Sequence, residues 1–397
     1  MAGSIQNTHR NVSYGLAVHS RDLARLQEQV TTGSRVNRIS DDPSVAFQLL
    51  SLESQKQSLI HYQDGLTDIV NTMEMATTIL ESITAELRST NLLLTQISGG
   101  IHGQSNRDRI AAAIDDHLEQ TLLLANTQQV NRYLFSGAKT STQPFVATRD
   151  NNHEITAVTY QGSQEQRRVE VAAGTKTEVY WVGNDVFRGS HRKTAEFVLD
   201  NTGATLGSGT SGVRGDVWLE VTANGASYDL SIDGGATKIS VAAAGDITNI
   251  PVTNANGEVL YVNASSITTT GTDVISFPGS YDMFETLISI RDILRNERGL
   301  PDHQLTEVLQ GAIDWTGELS ELLLQTQVRV GSRTGYLENL NLTLDDMEFN
   351  IVEAQTQLGD ADIAQLAIDL ARRSVLYEMS LNVAGKLLSI SLLDFLR

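Results

Sequence analysis

The sequence predicts an α+β multidomain chain: a long antiparallel coiled-coil helical core drawn from both chain ends, with a β-rich domain inserted between them. Three observations lead there. The five prolines are Pro43, Pro144, Pro251, Pro278 and Pro301, so 44–143 and 302–397 contain none, as long helices require. Of 31 glycines, 17 fall within 144–301, which sets the middle apart from two glycine-poor arms. The hydrophobic period is seven in the arms and two in the middle. A length of 397 residues suits two or three domains better than one core.

The first element is an amphipathic helix. Val12, Leu16, His19, Leu23, Leu26 and Val30 follow the alternating spacing of four and three, and Gly33 stands where a glycine would end the helix. Next comes Asp42-Pro43, read as the N-cap and first residue of a second helix. Along it Leu52, Leu59, Leu66, Met73, Leu80, Leu87 and Leu94 recur by seven, with Gln55, Tyr62, Ile69, Ala76, Ile83, Thr90 and Ile97 in the companion phase. A helix from Ser44 to Ile97 would be about 80 Å long and needs a partner along its length. A shorter helix is expected within 106–133, with Ser105 and Asp108 forming a capping box.

The period then changes. Val217, Leu219 and Val221 alternate with Trp218, Glu220 and Thr222 before Asn224-Gly225 leads into Tyr228, Leu230 and Ile232. Asn256-Gly257 likewise separates Val252 from Val259 and Tyr261. Asn-Gly between alternating runs is the strongest local hairpin signal. In the carboxyl arm Leu323, Val330, Leu337, Leu344, Ile351 and Leu358 recur by seven beside Leu319, Leu340, Met347 and Ala354, which supplies the partner helix. A break is expected at Gly359-Asp360. One more amphipathic helix follows, with Ile363, Leu370, Tyr377 and Ala384 in one phase and Ala367, Ser374, Leu381, Leu388 and Phe395 in the other. The resulting segments are 1–40, an N-terminal assembly helix; 41–144, the first half of the helical layer; 145–280, the inserted β-rich domain; 281–359, the second half of the layer; and 360–397, a C-terminal assembly helix.

Composition removes several function classes. Net charge is −19, against the basic footprint of a nucleic-acid binder. There is no cysteine, hence no disulfide, thiolate metal site or cysteine nucleophile. No apolar run approaches a membrane span, and residues 1–30 lack the uninterrupted apolar stretch of a cleaved signal peptide. Residues 1–40 carry five arginines against Asp22 and Glu28, whereas 41–359 carries −21. A basic amino end beside an acidic body suits contact with neighbours.

Each chemical motif has a plainer structural reading. Gly207-Ser208-Gly209-Thr210-Ser211-Gly212 matches a dinucleotide loop in letters, but the alternating strand 216–221 follows where a phosphate-binding helix should start. Arg214-Gly215-Asp216 spells an adhesion tripeptide with no supporting feature. Trp181 and Trp218 are read as core aromatics, a ligand platform being the alternative. The eight histidines form no metal pair and no serine elbow occurs, so no catalytic, cofactor or metal residues are assigned and the chain is read as not an enzyme.

Three segments carry a resemblance. Gly33-Ser34-Arg35-Val36-Asn37-Arg38-Ile39-Ser40-Asp41-Asp42-Pro43, then Asn131-Arg132-Tyr133-Leu134-Phe135-Ser136-Gly137-Ala138-Lys139-Thr140 with Pro144-Phe145, and Ser389-Ile390-Ser391-Leu392-Leu393-Asp394-Phe395-Leu396 are similar to signatures of the flagellin superfamily, and within it of the hook–filament junction branch. The resemblance covers about 5–145 and 300–397. It implies an extracellular structural protein of the bacterial flagellum, exported by the flagellar type III route, whose copies form a ring joining the hook-associated layer to the filament. The implied partners are identical subunits, a neighbouring hook-associated protein, flagellin, and a cytoplasmic export chaperone on the C-terminal helix. From the residues comes a mechanism: the terminal helices order as they assemble, burying Leu16, Leu23, Val30, Leu370, Tyr377, Leu381 and Leu388 between subunits. The neighbouring alternative is filament flagellin itself, and the alternative from another class is a glycan-binding module on 146–280 carried by a flagellar shaft.

Overall fold

The computed structural model describes residues 2–99, 103–241 and 247–395, with side chains described between 10 and 386. The chain divides into two compact units, one of residues 66–338 and one of 1–65 with 339–397.

In the 66–338 unit the frame is helical. Helix α2 (Pro43–Ser98) and helix α6 (Asp302–Gly359) each contribute one end to it. They run antiparallel: Thr84 Oγ1 accepts from Gln327 Nε2 at 3.0 Å, and Asn91 Nδ2 donates to Thr316 Oγ1 at 2.8 Å. The heptad seam is dry here. Leu66, Met73, Leu80, Ile83 and Leu94 are wholly buried, as are Leu323, Val330 and Leu337. Helix α3 (Gln104–Ala125) lies along α2, where the His117 Nδ1 pairs with Glu86, and packs on α5 (Met283–Arg295). Its start differs from the expected capping box: Gly103 is the N-cap without a side-chain bond, and Asp108 instead accepts from Gln104 Nε2 at 2.6 Å. Gln104 also reaches the carbonyl ends of α5, at Leu294 and Arg295, so the long amide is spent on docking α3 and Ser105 has no capping role.

Between α3 and α5 the chain makes three hairpins and a double sheet. The hairpins are β1 (Gln128–Gln129) with β2 (Arg132–Tyr133), β3 (Phe145–Arg149) with β4 (Ile155–Tyr160), and β5 (Arg167–Ala172) with β6 (Thr175–Tyr180). Short helix α4 (Gly183–Phe187) closes this part, and Phe135, Phe145, Phe187 and Phe284 interlock with centroids 4.8–6.0 Å apart. Arg291 of α5, 3% exposed, ties the pieces together by donating to Asp115 at 2.8 Å and to the Ile155 carbonyl at 2.9 Å.

The remaining strands are β7 (Glu196–Leu199), β8 (Thr205–Leu206), β9 (Gly215–Asn224), β10 (Ser227–Ser231), β11 (Ile239–Val241), β12 (Ile250–Thr253), β13 (Val259–Asn263) and β14 (Gly271–Phe277). They form a five-stranded sheet, β11-β10-β9-β14-β7, and a three-stranded sheet, β12-β13-β8. One apolar core joins both, with Leu219, Leu230, Val252, Leu260 and Ile275 wholly buried. On β9 the inward residues are Val217, Leu219 and Val221, the set selected by the period of two. The turn after it sits one residue later than Asn224-Gly225: Ser227 pairs with Asn224, so Gly225-Ala226 make the turn, and Gly225 takes φ +63°. The glycine-rich stretch 207–212 is a loop between β8 and β9 within this domain.

In the other unit, which also holds the first part of α2 and the last part of α6, α1 (Ala2–Thr32) and α7 (Ile363–Phe395) lie against each other. α2 and α6 remain antiparallel here, with Gln63 Nε2 donating to Asp345 at 2.6 Å and Gln355 Nε2 to Glu53 at 3.0 Å. The seam is wetter here: Leu344 stays buried, but Leu52, Leu59, Ile351 and Leu358 are half-buried, Gln55 is exposed and Met347 is 50% exposed.

Candidate assembly surface

The terminal helices meet at a joint. Helix α1 ends as Gly33 turns left-handed at φ +71° and its amide returns to the Gln29 carbonyl at 2.9 Å. The Arg35 amide then donates to the Gly359 carbonyl at 2.7 Å, and the Ala361 amide to the Gly33 carbonyl at 2.9 Å, so 33–35 and 359–361 form a short bridge. Buried Gln29 donates to the Arg35 carbonyl at 2.6 Å. The acid pair of the signature holds the turn that follows. Asp41 accepts from the Asn37 and Arg38 amides, and Asp42 Oδ1 accepts from the Val45 amide at 3.2 Å as Pro43 opens α2. The two carboxylates spend their lone pairs on backbone.

The joint sets α1 and α7 antiparallel. From the Gly33–Ala361 contact they run side by side to Asp22, which pairs with Arg373 at 3.0 Å. Leu16 and Leu23 on α1, and Leu370 and Tyr377 on α7, are half-buried, while Leu26 is buried. Val30 is 37% exposed and Leu381 46% exposed. Leu388 is on α7, and its side chain lies outside the described residues. Helix α7 carries a second apolar stripe the heptad phases did not single out: Ile368, Val375, Met379 and Val383, spaced seven, four and four, all about half exposed or more. That spacing is one helix face, opposite the face of Leu366, Leu370 and Tyr377. Helix α7 is therefore apolar on two sides, and α1 covers one. The arrangement offers apolar surface for burial.

The other motifs are occupied structurally. Gly209 lies on the Tyr261 ring, where a Cβ would come within 2.3 Å. Asp216 of the tripeptide turns inward, accepting from Ser289 and from Trp218 Nε1, and burial pushes its carboxyl above the ordinary range. Trp181 is buried, with the Arg333 guanidinium 5.3 Å from its ring centre. Trp218 is half-buried, with Arg298 at 4.6 Å. The two indoles have separate surroundings and make no common platform. Asp216 and Trp218 border a cleft of about 550 Å³ along α5, where Asp282 caps the helix and pairs with Arg188 at 2.8 Å. Glu285, open to solvent on one side, has its carboxyl pushed up to about 7 by desolvation in that cleft, with Asp282 adding like charge. Among the described residues no group of three histidines or carboxylates is placed to hold a metal ion, and no helix is long and apolar enough to cross a membrane.

Comparison with known proteins points in one direction. Residues 4–140 match the bacterial flagellin N-terminal helical region. Flagellar hook-associated protein 3 of Escherichia coli K12 is 25% identical over 346 residues, covering 87% of this chain and 98% of that protein. Two crystal structures from Legionella pneumophila share the fold. One, of flagellar hook associated protein-3, aligns with TM-score 0.53 at 18% identity over 77% of this chain and 98% of its own. The other, of the flagellar junction protein FlgL, aligns with TM-score 0.51 at 18% identity over 79% and 100%.

Proposed function

We propose that this chain, which is similar to flagellar hook-associated protein 3 and matches the bacterial flagellin N-terminal helical region over 4–140, belongs to the flagellin superfamily and is the structural subunit of the ring that joins the hook-associated layer to the flagellin filament. One observation carries the assembly mechanism: α7 presents an apolar face to α1 and a second one, Ile368, Val375, Met379 and Val383, to solvent. Burying each such side chain is worth roughly 1.5–3 kcal/mol. A helix pair with one covered side is weakly held, so the pair orders fully when neighbouring copies cover the second side. Leu16, Leu23, Val30, Leu370, Tyr377, Leu381 and Leu388 then belong to the same assembly surface, together with the stripe on α7.

The partners follow from that place in the shaft: identical subunits in the ring, a hook-associated protein on one side and flagellin on the other. Before export the apolar C-terminal helix needs cover, which a cytoplasmic chaperone supplies. The chain then leaves by the flagellar type III route and works outside the cell. Freedom from cysteine suits a chain that travels unfolded.

The test is complementation of a strain lacking its hook–filament junction protein. The wild-type chain restores motility and attached filaments, whereas V375D with M379D leaves filaments unattached although the purified variant folds. Motility fully restored by that double variant contradicts the mechanism, and long filaments grown from the purified wild-type chain alone would make it flagellin.

A further inference from the structure

The hairpin β1–β2 has a turn of two residues, Val130 and Asn131, since Gln129 pairs with Arg132. Both take positive φ, +48° and +59°, the mirror-image turn that favours Asn-Gly. A β-branched residue there is strained, and Val130 is also 89% exposed, so no burial offsets the strain within the chain. The hairpin is firmly held: the Tyr133 amide donates to the Thr140 carbonyl at 2.8 Å and the Trp181 amide to the Leu134 carbonyl at 3.1 Å. The tip is thus a rigid apolar knob with exposed Arg132 beside it.

A hole of suitable size lies elsewhere on the same unit. Against α6 a cavity of about 160 Å³, room for roughly five waters or one valine side chain, is lined by Leu319, Leu322 and Tyr281 with Gln325 at its edge. Its wall is preformed backbone. The Gly189 amide donates to the Tyr281 carbonyl at 2.8 Å and the Lys193 amide to the Pro278 carbonyl at 2.8 Å. A Cβ on Gly279 would stand 1.8 Å from the His191 carbonyl oxygen. The rim carries exposed Glu321 beside His191, and Glu318 there is paired to Lys193 at 2.9 Å. Val328, one turn beyond Gln325, continues the apolar ground at 71% exposure.

Resting on the ring reading above, we propose that Val130 of one copy seats in this α6 cavity of the next copy, with Arg132 over Glu321. Knob and hole are different patches of one chain, so the contact is heterologous, the kind that propagates around a ring or helix instead of closing a dimer. It also explains why the turn keeps valine: the strain is compensated between copies.

The cysteine-free chain makes the test direct. Purified V130C and Q325C are mixed under assembly conditions and oxidised. The expected product is a disulfide-linked pair from the mixture, little from either variant alone, and a ladder from the double variant V130C/Q325C. V130N, which suits the turn, is expected to raise the melting temperature of the monomer while weakening self-association by about tenfold. Normal assembly of V130N together with no cross-link in the mixture overturns the proposal and leaves the ring reading standing. Cross-linking of V130C with itself overturns the heterologous contact. Failure of the wild-type chain both to self-associate and to restore motility removes the ring reading, and this contact with it.

Discussion

Two helix pairs in this chain share one heptad grammar and reach different ends. Where α2 and α6 pair within 66–338, the seam leucines are wholly buried, because other elements close the remaining sides: α3 through His117 against Glu86, and β6 through Glu178, which accepts from Arg333 at 3.2 Å. Where α1 and α7 pair, Leu26 at 9% and Gln29 at 6% are the best-covered α1 positions among the described residues, and the outer stripe of α7 meets solvent. Spacing by seven lines residues up; dryness comes from what covers the other sides. The first pair has its cover inside the chain, and on the proposed reading the second obtains it from neighbours.

The contrast can be broken by charge. L323D places a carboxylate in the dry seam and is expected to abolish cooperative folding, a loss above about 4 kcal/mol by denaturant titration. V375D makes the same kind of change on α7 and is expected to alter monomer stability by less than about 0.5 kcal/mol while blocking assembly. If V375D unfolds the monomer as L323D does, the two pairs are alike after all. R291A, which strands Asp115 and the Ile155 carbonyl beside a hole, is expected to cost about 3–5 kcal/mol in the same titration.

A smaller effect is pH-dependent. The Glu285 carboxyl holds its proton up to about 7 in the folded chain, above its ordinary value of 4.5, so the folded state binds more protons across that window. Stability from this group is complete below pH 4.5 and is lost as pH rises through about 7. Melting temperature should therefore fall more steeply between pH 5 and about 7.5 in the wild type than in E285Q, and equal slopes would remove Glu285 as the cause. D42A is expected to cost about 1 kcal/mol through the lost cap on α2.

Much of the fold was legible because it is local. The dry seam from Leu66 to Ile97, the glycine end of α1 at Gly33 and the inward set on β9 each follow from a period or a single backbone requirement. What was hidden is non-local. β9 pairs with β14, some fifty residues on, and β8 crosses to a second sheet, pairings that no short-range pattern encodes. The start of α3 is set by a distant contact that local sequence does not encode, since Gln104 answers to the far end of α5. On the candidate assembly surface, the heptad phases through Leu370 and Leu381 do not select Ile368, Val375, Met379 and Val383. A helix apolar on two faces offers a periodicity search two valid stripes, and only the position of α1 says which is covered.

The decisive measurement is hydrogen–deuterium exchange on the purified chain before and after assembly, comparing α1 and α7 with 66–97 and 319–337. Assembly-coupled ordering predicts fast exchange over both terminal helices in the monomer, slow exchange over the two seam segments, and protection of the terminal helices once copies associate. Terminal helices protected as well as the seam in the monomer, and unchanged on assembly, would contradict it.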